Sequence, residues 1–188
     1  MASKPDTKAA GAPTNMAELA KSELAGLHAA IDTRAREVAA KNKGRLHCER
    51  GCSGCCVDDL TVFEVEAARI RAAHPELLKS GVPHAAGACA FLDSEGACRV
   101  YDVRPYVCRT QGLPLRWLEL EHGLEHRDIC VLNDEPVVGP WPTIVDLPIE
   151  ACWTLGPAEE RLSQLQRELC GDEAPARVKL RDLFSRLD

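Results

Sequence analysis

Cys48-Glu49-Arg50-Gly51-Cys52-Ser53-Gly54-Cys55-Cys56 places four thiols within nine residues, and the use made of those thiols decides the fold. The stretch has no hydrophobic period, so it reads as a loop shaped around something rather than as a helix or strand. Cysteines two or three residues apart on a loop can point their sulfurs at one ion about 2.3 Å away. Gly51 and Gly54 give the backbone freedom to wrap. Cys55 and Cys56 are adjacent and do not easily share one ligand geometry, so one of them serves a second metal or packs. Downstream come Cys89-x8-Cys98-x9-Cys108, and then Cys130 after a further 21 residues. Eight cysteines from Cys48 to Cys130 suit two four-thiolate sites, or one cluster with spare thiols. Four thiolates on one Zn²⁺ leave a net charge of −2 that calls for nearby cations. Arg50, Arg99, Arg104 and Arg109 all stand close to cysteines in sequence.

The remaining cysteines read differently. Cys152, beside Trp153, and Cys170, on an apolar helical face, read as small buried hydrophobes. Cys52-Ser53-Gly54-Cys55 has the spacing of a dithiol redox motif, but such sites follow a buried strand. Arg45 to Gly51 is polar and offers none. His47, next to Cys48, could replace a thiolate, although a surface or packing role suits it better. No Ser-His-Asp pattern, phosphate-binding glycine loop or His-Glu-x-x-His motif is visible.

Composition agrees with a metal-supported core. The chain has 188 residues, 45% hydrophobic but only 4% aromatic, with ten cysteines and a formal net charge of −6. A core short of large rings buries less apolar area, and metal cross-links can make up the difference. The acidic balance disfavours a nucleic-acid partner. No run approaches the roughly 18 apolar residues of a membrane span, so no membrane partner is expected. Met1 to Thr14 lacks the apolar segment of a secretory signal. The expected location is therefore the cytoplasm, where thiols stay reduced and bind metal rather than form disulfides.

Outward from the cysteine segment, residues 1–15 read as a disordered tail. Leu19, Leu24, Leu27, Ile31 and Val38 mark a helix within residues 16–44, closed by Lys41-Asn42-Lys43-Gly44. Residues 45–132 form the cysteine-cluster domain. Within it, Thr61 and Glu64 suggest a capping box opening a helix to about His74, and Pro75 starts a further turn ending near Gly81. Ala90–Leu92 and Cys98–Tyr101 flank a turn at Asp93–Gly96, and Leu115–Leu120 and Leu124–Ile129 flank one at His122-Gly123. Pro105 suits the first turn of a short helix, which would aim Cys108 and Arg109 inward beside Tyr101. Residues 133–188 comprise a Pro-rich segment and two C-terminal helices, near Ala158–Leu169 and Ala176–Leu187. The fold class expected is α+β, α-rich: a small metal-nucleated cysteine-cluster domain with short hairpins, flanked by N- and C-terminal helices.

Cys48-x3-Cys52-Ser53-Gly54-Cys55-Cys56, Cys89-Ala90-Phe91-Leu92 and Gly96-Ala97-Cys98-Arg99-Val100-Tyr101-Asp102-Val103-Arg104-Pro105-Tyr106-Val107-Cys108-Arg109 together resemble the YkgJ-like cysteine-cluster family. This family is also known as the CxxCxxCC zinc- or iron-chelating domain. The resemblance covers roughly residues 45–132. It implies that eight cysteines hold zinc or an iron–sulfur cluster, so Cys130 is carried over as the eighth. The metal ligands it implies are Cys48, Cys52, Cys55, Cys56, Cys89, Cys98, Cys108 and Cys130. The first gap here is x3 rather than x2. Relatives labelled iron–sulfur oxidoreductases or resembling flagellin lysine methylases do not lend their activities to this chain, which shows no separate substrate or S-adenosylmethionine domain. A structural metal protein, an iron–sulfur redox or accessory enzyme, and a metal carrier with a protein partner all remain open at this point. Catalytic residues are not identified by the sequence.

Overall fold

The computed structural model describes residues 13–49, 51–134, 142–171 and 177–184, with side chains from residue 21 onward. Its longest element, α1 (Pro13–Lys41), buries Leu24, His28, Ile31, Ala35 and Val38, and Asn42 follows just beyond its end. The alternating steps of four and three residues are those of one helical face. Two polar residues sit on that apolar stripe because each is bonded. Asn42 Nδ2 donates to the carbonyls of Val38 and Ala151, both at 2.8 Å. His28 is treated below. α1 starts at Pro13, three residues before Met16; residues 1–12 of the expected tail lie outside the described residues.

β1 (Thr61–Val62) leads into α2 (Glu64–Ala73), and α3 (Pro75–Ser80) follows with Pro75 in its first turn. The cap of α2 is Phe63, not Thr61 as the sequence suggests. Glu66 Oε2 reaches back to accept the Phe63 N–H at 3.4 Å. Thr61 is instead paired with Lys179, and Val62 with Val178, in a two-stranded antiparallel ladder of β1 and β5 (Val178–Lys179). The helix expected over Ala176–Leu187 is therefore not formed in the described part of that segment. A strand and a single 3₁₀ turn at Arg181–Leu183 take its place. β-branched Val178 opposite Val62 fits a pleated pair, and Leu180 and Leu183 then turn inward to the core.

The hairpin expected at Leu115–Leu120 and Leu124–Ile129 is present as β2 (Leu115–Glu119) and β3 (Leu124–Asp128), in register from Leu115↔Asp128 to Glu119↔Leu124. Gly123 takes a positive φ of 65° in its turn, a conformation that costs glycine little. β4 (Trp153–Thr154) adds to β2 in parallel, giving the order β3-β2-β4. The hairpin expected around Asp93–Gly96 contracts to one bridge, Leu92↔Cys98. Asp93 Oδ1 accepts the N–H groups of Glu95 and Ala97, which closes the turn without extended strands. α4 (Tyr106–Thr110), α5 (Val131–Asp134) and α6 (Pro157–Cys170) complete the fold.

The architecture is a small α+β domain, as the sequence indicates. Two clusters form its core. One joins Val62, Ile70, Phe91, Val100, Leu180 and Leu183, and includes Cys89. The other joins the α1 stripe to Tyr106, Trp153, Leu162 and Leu165. No described helix is long and apolar enough to cross a membrane.

Candidate metal centre

All ten cysteines are free thiols. Eight of them, from Cys48 to Cys130, fall into two neighbourhoods. Around Cys48, the sulfurs of Cys52, Cys130 and Cys55 lie close enough for their charge to oppose its ionisation. Around Cys108, Cys89 and Cys98 do the same, and Cys56 in turn feels Cys89 and Cys108. Cys55 and Cys56 stand where the two neighbourhoods meet, their sulfurs hydrogen-bonded to each other. That bond draws Cys55 down to about 6 and, with burial, pushes Cys56 up. Burial pushes Cys108 up to about 12, with Cys89 and Cys98 adding to it. Among the described residues, however, no group of three or more His, Cys, Asp or Glu side chains is closed to the spacing of a metal cage. The thiols are gathered, not converged on one point.

Local structure explains the gathering. The Cys52 N–H donates to Glu49 O and the Cys56 N–H to Ser53 O, so the loop is a pair of tight turns. It is pinned to the second group by the Cys89 N–H donating to Cys56 O at 2.8 Å. Gly51 and Gly96 approach closely there; a Cβ on Gly96 would lie 3.3 Å from Gly51 O. α4 brings Cys108 to the same place.

Several sulfurs accept N–H groups. The backbone N–H of Phe91 bonds Cys89 and that of Val100 bonds Cys98, each lowering a thiol that burial otherwise raises. Asn133 Nδ2 donates to Cys48 Sγ at 3.2 Å. Such donors favour the ionised sulfur, the form that binds metal. The donor set therefore fits a thiolate-held ion.

Asn133 is fully buried and holds three segments together. Its Nδ2 also donates to Gly112 O at 2.8 Å, its Oδ1 accepts the His47 N–H at 2.8 Å, and its own N–H donates to Cys130 O. Gly112 has φ of 88°, and a Cβ there would come within 2.5 Å of Cys48 Sγ. Neither residue is singled out by the sequence. A short amide three residues after Cys130 was the only available signal for Asn133, and Gly112 offered none.

Of the four arginines expected beside the thiols, Arg99 and Arg104 carry charge that favours ionised Cys89 and Cys98 respectively. Arg109 is buried but ion-paired to Asp32, and Arg50 lies outside the described residues. Arg181, not expected, also favours ionised Cys89, and it donates to the carbonyls of His84, Ala85 and Ala88 before that cysteine. Tyr101 is exposed, not an inward neighbour of Cys108; the Arg104 guanidinium stacks on its ring at 4.1 Å. Tyr106 is the buried tyrosine, accepting Trp153 Nε1–H at 2.9 Å. His47 is exposed. Cys152 is fully buried beside Arg127, and Cys170 packs on the α1 core.

The fold and its thiol neighbourhoods define a small α+β cysteine-cluster domain. Residues 47–130 match the model of the CxxCxxCC family, described as "Putative zinc- or iron-chelating domain". The match begins one residue before Cys48 and ends on Cys130. Chelation of zinc or iron is the property that this description names. No curated protein and no solved structure matches the chain significantly.

Proposed function

We propose that the chain binds metal through two four-cysteine centres, one from Cys48, Cys52, Cys55 and Cys130, the other from Cys56, Cys89, Cys98 and Cys108. The observation that carries this reading is the division of eight thiols into two electrostatic neighbourhoods, with the adjacent Cys55 and Cys56 assigned one to each. This resolves the difficulty that neighbouring cysteines have in serving one ion. Tetrahedral sulfur suits both zinc and iron–sulfur chemistry, and the N–H···S bonds would moderate the charge of either. Ions bound here would supply a cross-link between the loop, α4 and the segment before α5. The N–H donors to Cys48, Cys89 and Cys98 offset part of the burial that otherwise raises these thiols, and a bound cation would supply the rest of the charge that favours thiolate.

A single polynuclear centre is the second reading, favoured by Cys55 influencing Cys108 as well as Cys48. Metal analysis of Cys130→Ser and Cys98→Ser separates them. Two centres predict that each variant loses about half the metal and keeps the rest. Complete loss in both supports one centre. Full retention by both contradicts cysteine ligation at these positions.

A further inference from the structure

The eight thiols do not share one environment. Cys89 is 6% exposed and belongs to the first apolar cluster, and Cys56 and Cys98 pack against that cluster. Cys108 stands on α4, whose Tyr106, Arg109 and Thr110 are buried. Detaching one of these sulfurs from an ion, or bringing a new ligand to it, requires part of the core to open.

Cys48, Cys52, Cys55 and Cys130 are placed otherwise. None of them is buried, and Cys48 is exposed. Among the described residues, neither apolar cluster includes any of the four. Cys48 also lines a groove of about 730 Å³ between α1 and α4, where no other described cysteine does. Cys130 is followed directly by α5, a helix of four residues on which Val131 is 83% and Leu132 55% exposed. That segment meets the cysteine loop through Leu132, whose Cδ1 lies 3.9 Å from where a Gly54 Cβ would stand, and through the buried Asn133.

We infer, on the two-centre reading, that the centres differ in function: the Cys48 centre exchanges its ion with ligands in solution, while the Cys108 centre keeps its ion as part of the core. The exchange is ligand substitution without electron transfer. An incoming donor forms a bond to the ion as a protein sulfur gives one up, and the freed thiolate takes the proton that the donor loses. Cys48, the exposed sulfur, leaves first. Asn133 Nδ2, donating to it at 3.2 Å, restrains that step.

The chain purified without oxygen and mixed with excess EDTA tests this. Released metal, circular dichroism and alkylation by iodoacetamide, read peptide by peptide, are followed in time. Two phases are expected, each with about half the metal and about tenfold or more apart in rate. Cys48, Cys52 and Cys130 should be alkylated in the fast phase with the circular dichroism unchanged. Cys89, Cys98 and Cys108 should follow in the slow phase, as structure is lost. Asn133→Ala should speed the fast phase about tenfold and leave the slow one unaltered; if that variant does not fold, the order of alkylation in the unaltered chain decides alone. Release in one phase, with all six cysteines alkylated together, overturns the inference but leaves metal binding standing. Earlier alkylation of Cys89, Cys98 and Cys108 overturns it as well. A chain with no metal to release would remove the metal reading itself, and this inference with it.

Discussion

Asn133 shows how one amide organises a thiol neighbourhood. It sits between Cys48, the His47 backbone and Gly112, with its own N–H on Cys130 O. Asn133→Ala leaves the buried Gly112 carbonyl without this partner, at a cost of about 1–3 kcal/mol, and releases the part-buried His47 N–H. The variant should lower the urea midpoint and hold metal less tightly in competition with a chelator. Unchanged stability and metal retention would show that the amide merely fills space. The cysteines were legible in the sequence because reactive side chains recur at ligand spacing. Asn133, Gly112 and Arg181 were not, since their roles come from contacts across 85, 64 and 92 residues (133 − 48, 112 − 48 and 181 − 89).

Three helices meet at a buried polar node. His28 of α1 stands between Glu66 and Arg69 of α2, and Glu66 Oε1 also accepts the Tyr106 N–H that opens α4 at 2.7 Å. Arg69 Nη1 lies 2.7 Å from His28 Nδ1, and an arginine can only donate, so Nδ1 is the acceptor. The proton therefore sits on Nε2, donated to Glu66 Oε1 at 3.0 Å. Adding a second proton at Nδ1 would break the Arg69 bond inside the core. Burial, outweighing the pull of Glu66, accordingly lowers His28 below 6.5. The sign follows: the unfolded chain takes up this proton first as pH falls, so the folded state loses stability below about pH 6.5, by at most about 1.4 kcal/mol per pH unit. Imidazole ¹⁵N shifts should report the Nε2–H form and a midpoint below 6.5. A midpoint at or above 6.5 would contradict the node as drawn.

The same scale shows where sequence reading succeeds. α1, α6 and the β2–β3 hairpin were legible because local periodicity and turn residues suffice for them. The strand at Val178 was not, because its conformation is set by Val62, 116 residues away (178 − 62). Thr61 likewise carries the chemistry of a cap but is taken by that ladder, and Glu66 caps at Phe63 instead.

At the scale of the molecule, the two apolar clusters differ in their relation to the thiols. Cys89 belongs to the first cluster, and Cys56 and Cys98 pack against it. Among the described residues the second contains none of the eight candidate ligands. Structural zinc sites contribute apparent free energies of about 10–16 kcal/mol in small domains, comparable with a whole domain's stability of about 5–15 kcal/mol. Chelation at neutral pH should therefore abolish amide-exchange protection around Phe91 and Val100 first, with α1 and α6 losing less. Uniform protection before and after chelation would remove any structural role for metal.

Whether zinc or iron travels with the folded chain is the question on which the rest turns. Elemental analysis of protein purified without oxygen, with its absorption spectrum, answers it directly. The account predicts about two zinc ions per chain in a colourless protein, four sulfurs to each, or iron with acid-labile sulfide in a brown one. A natively folded chain carrying neither metal would contradict it.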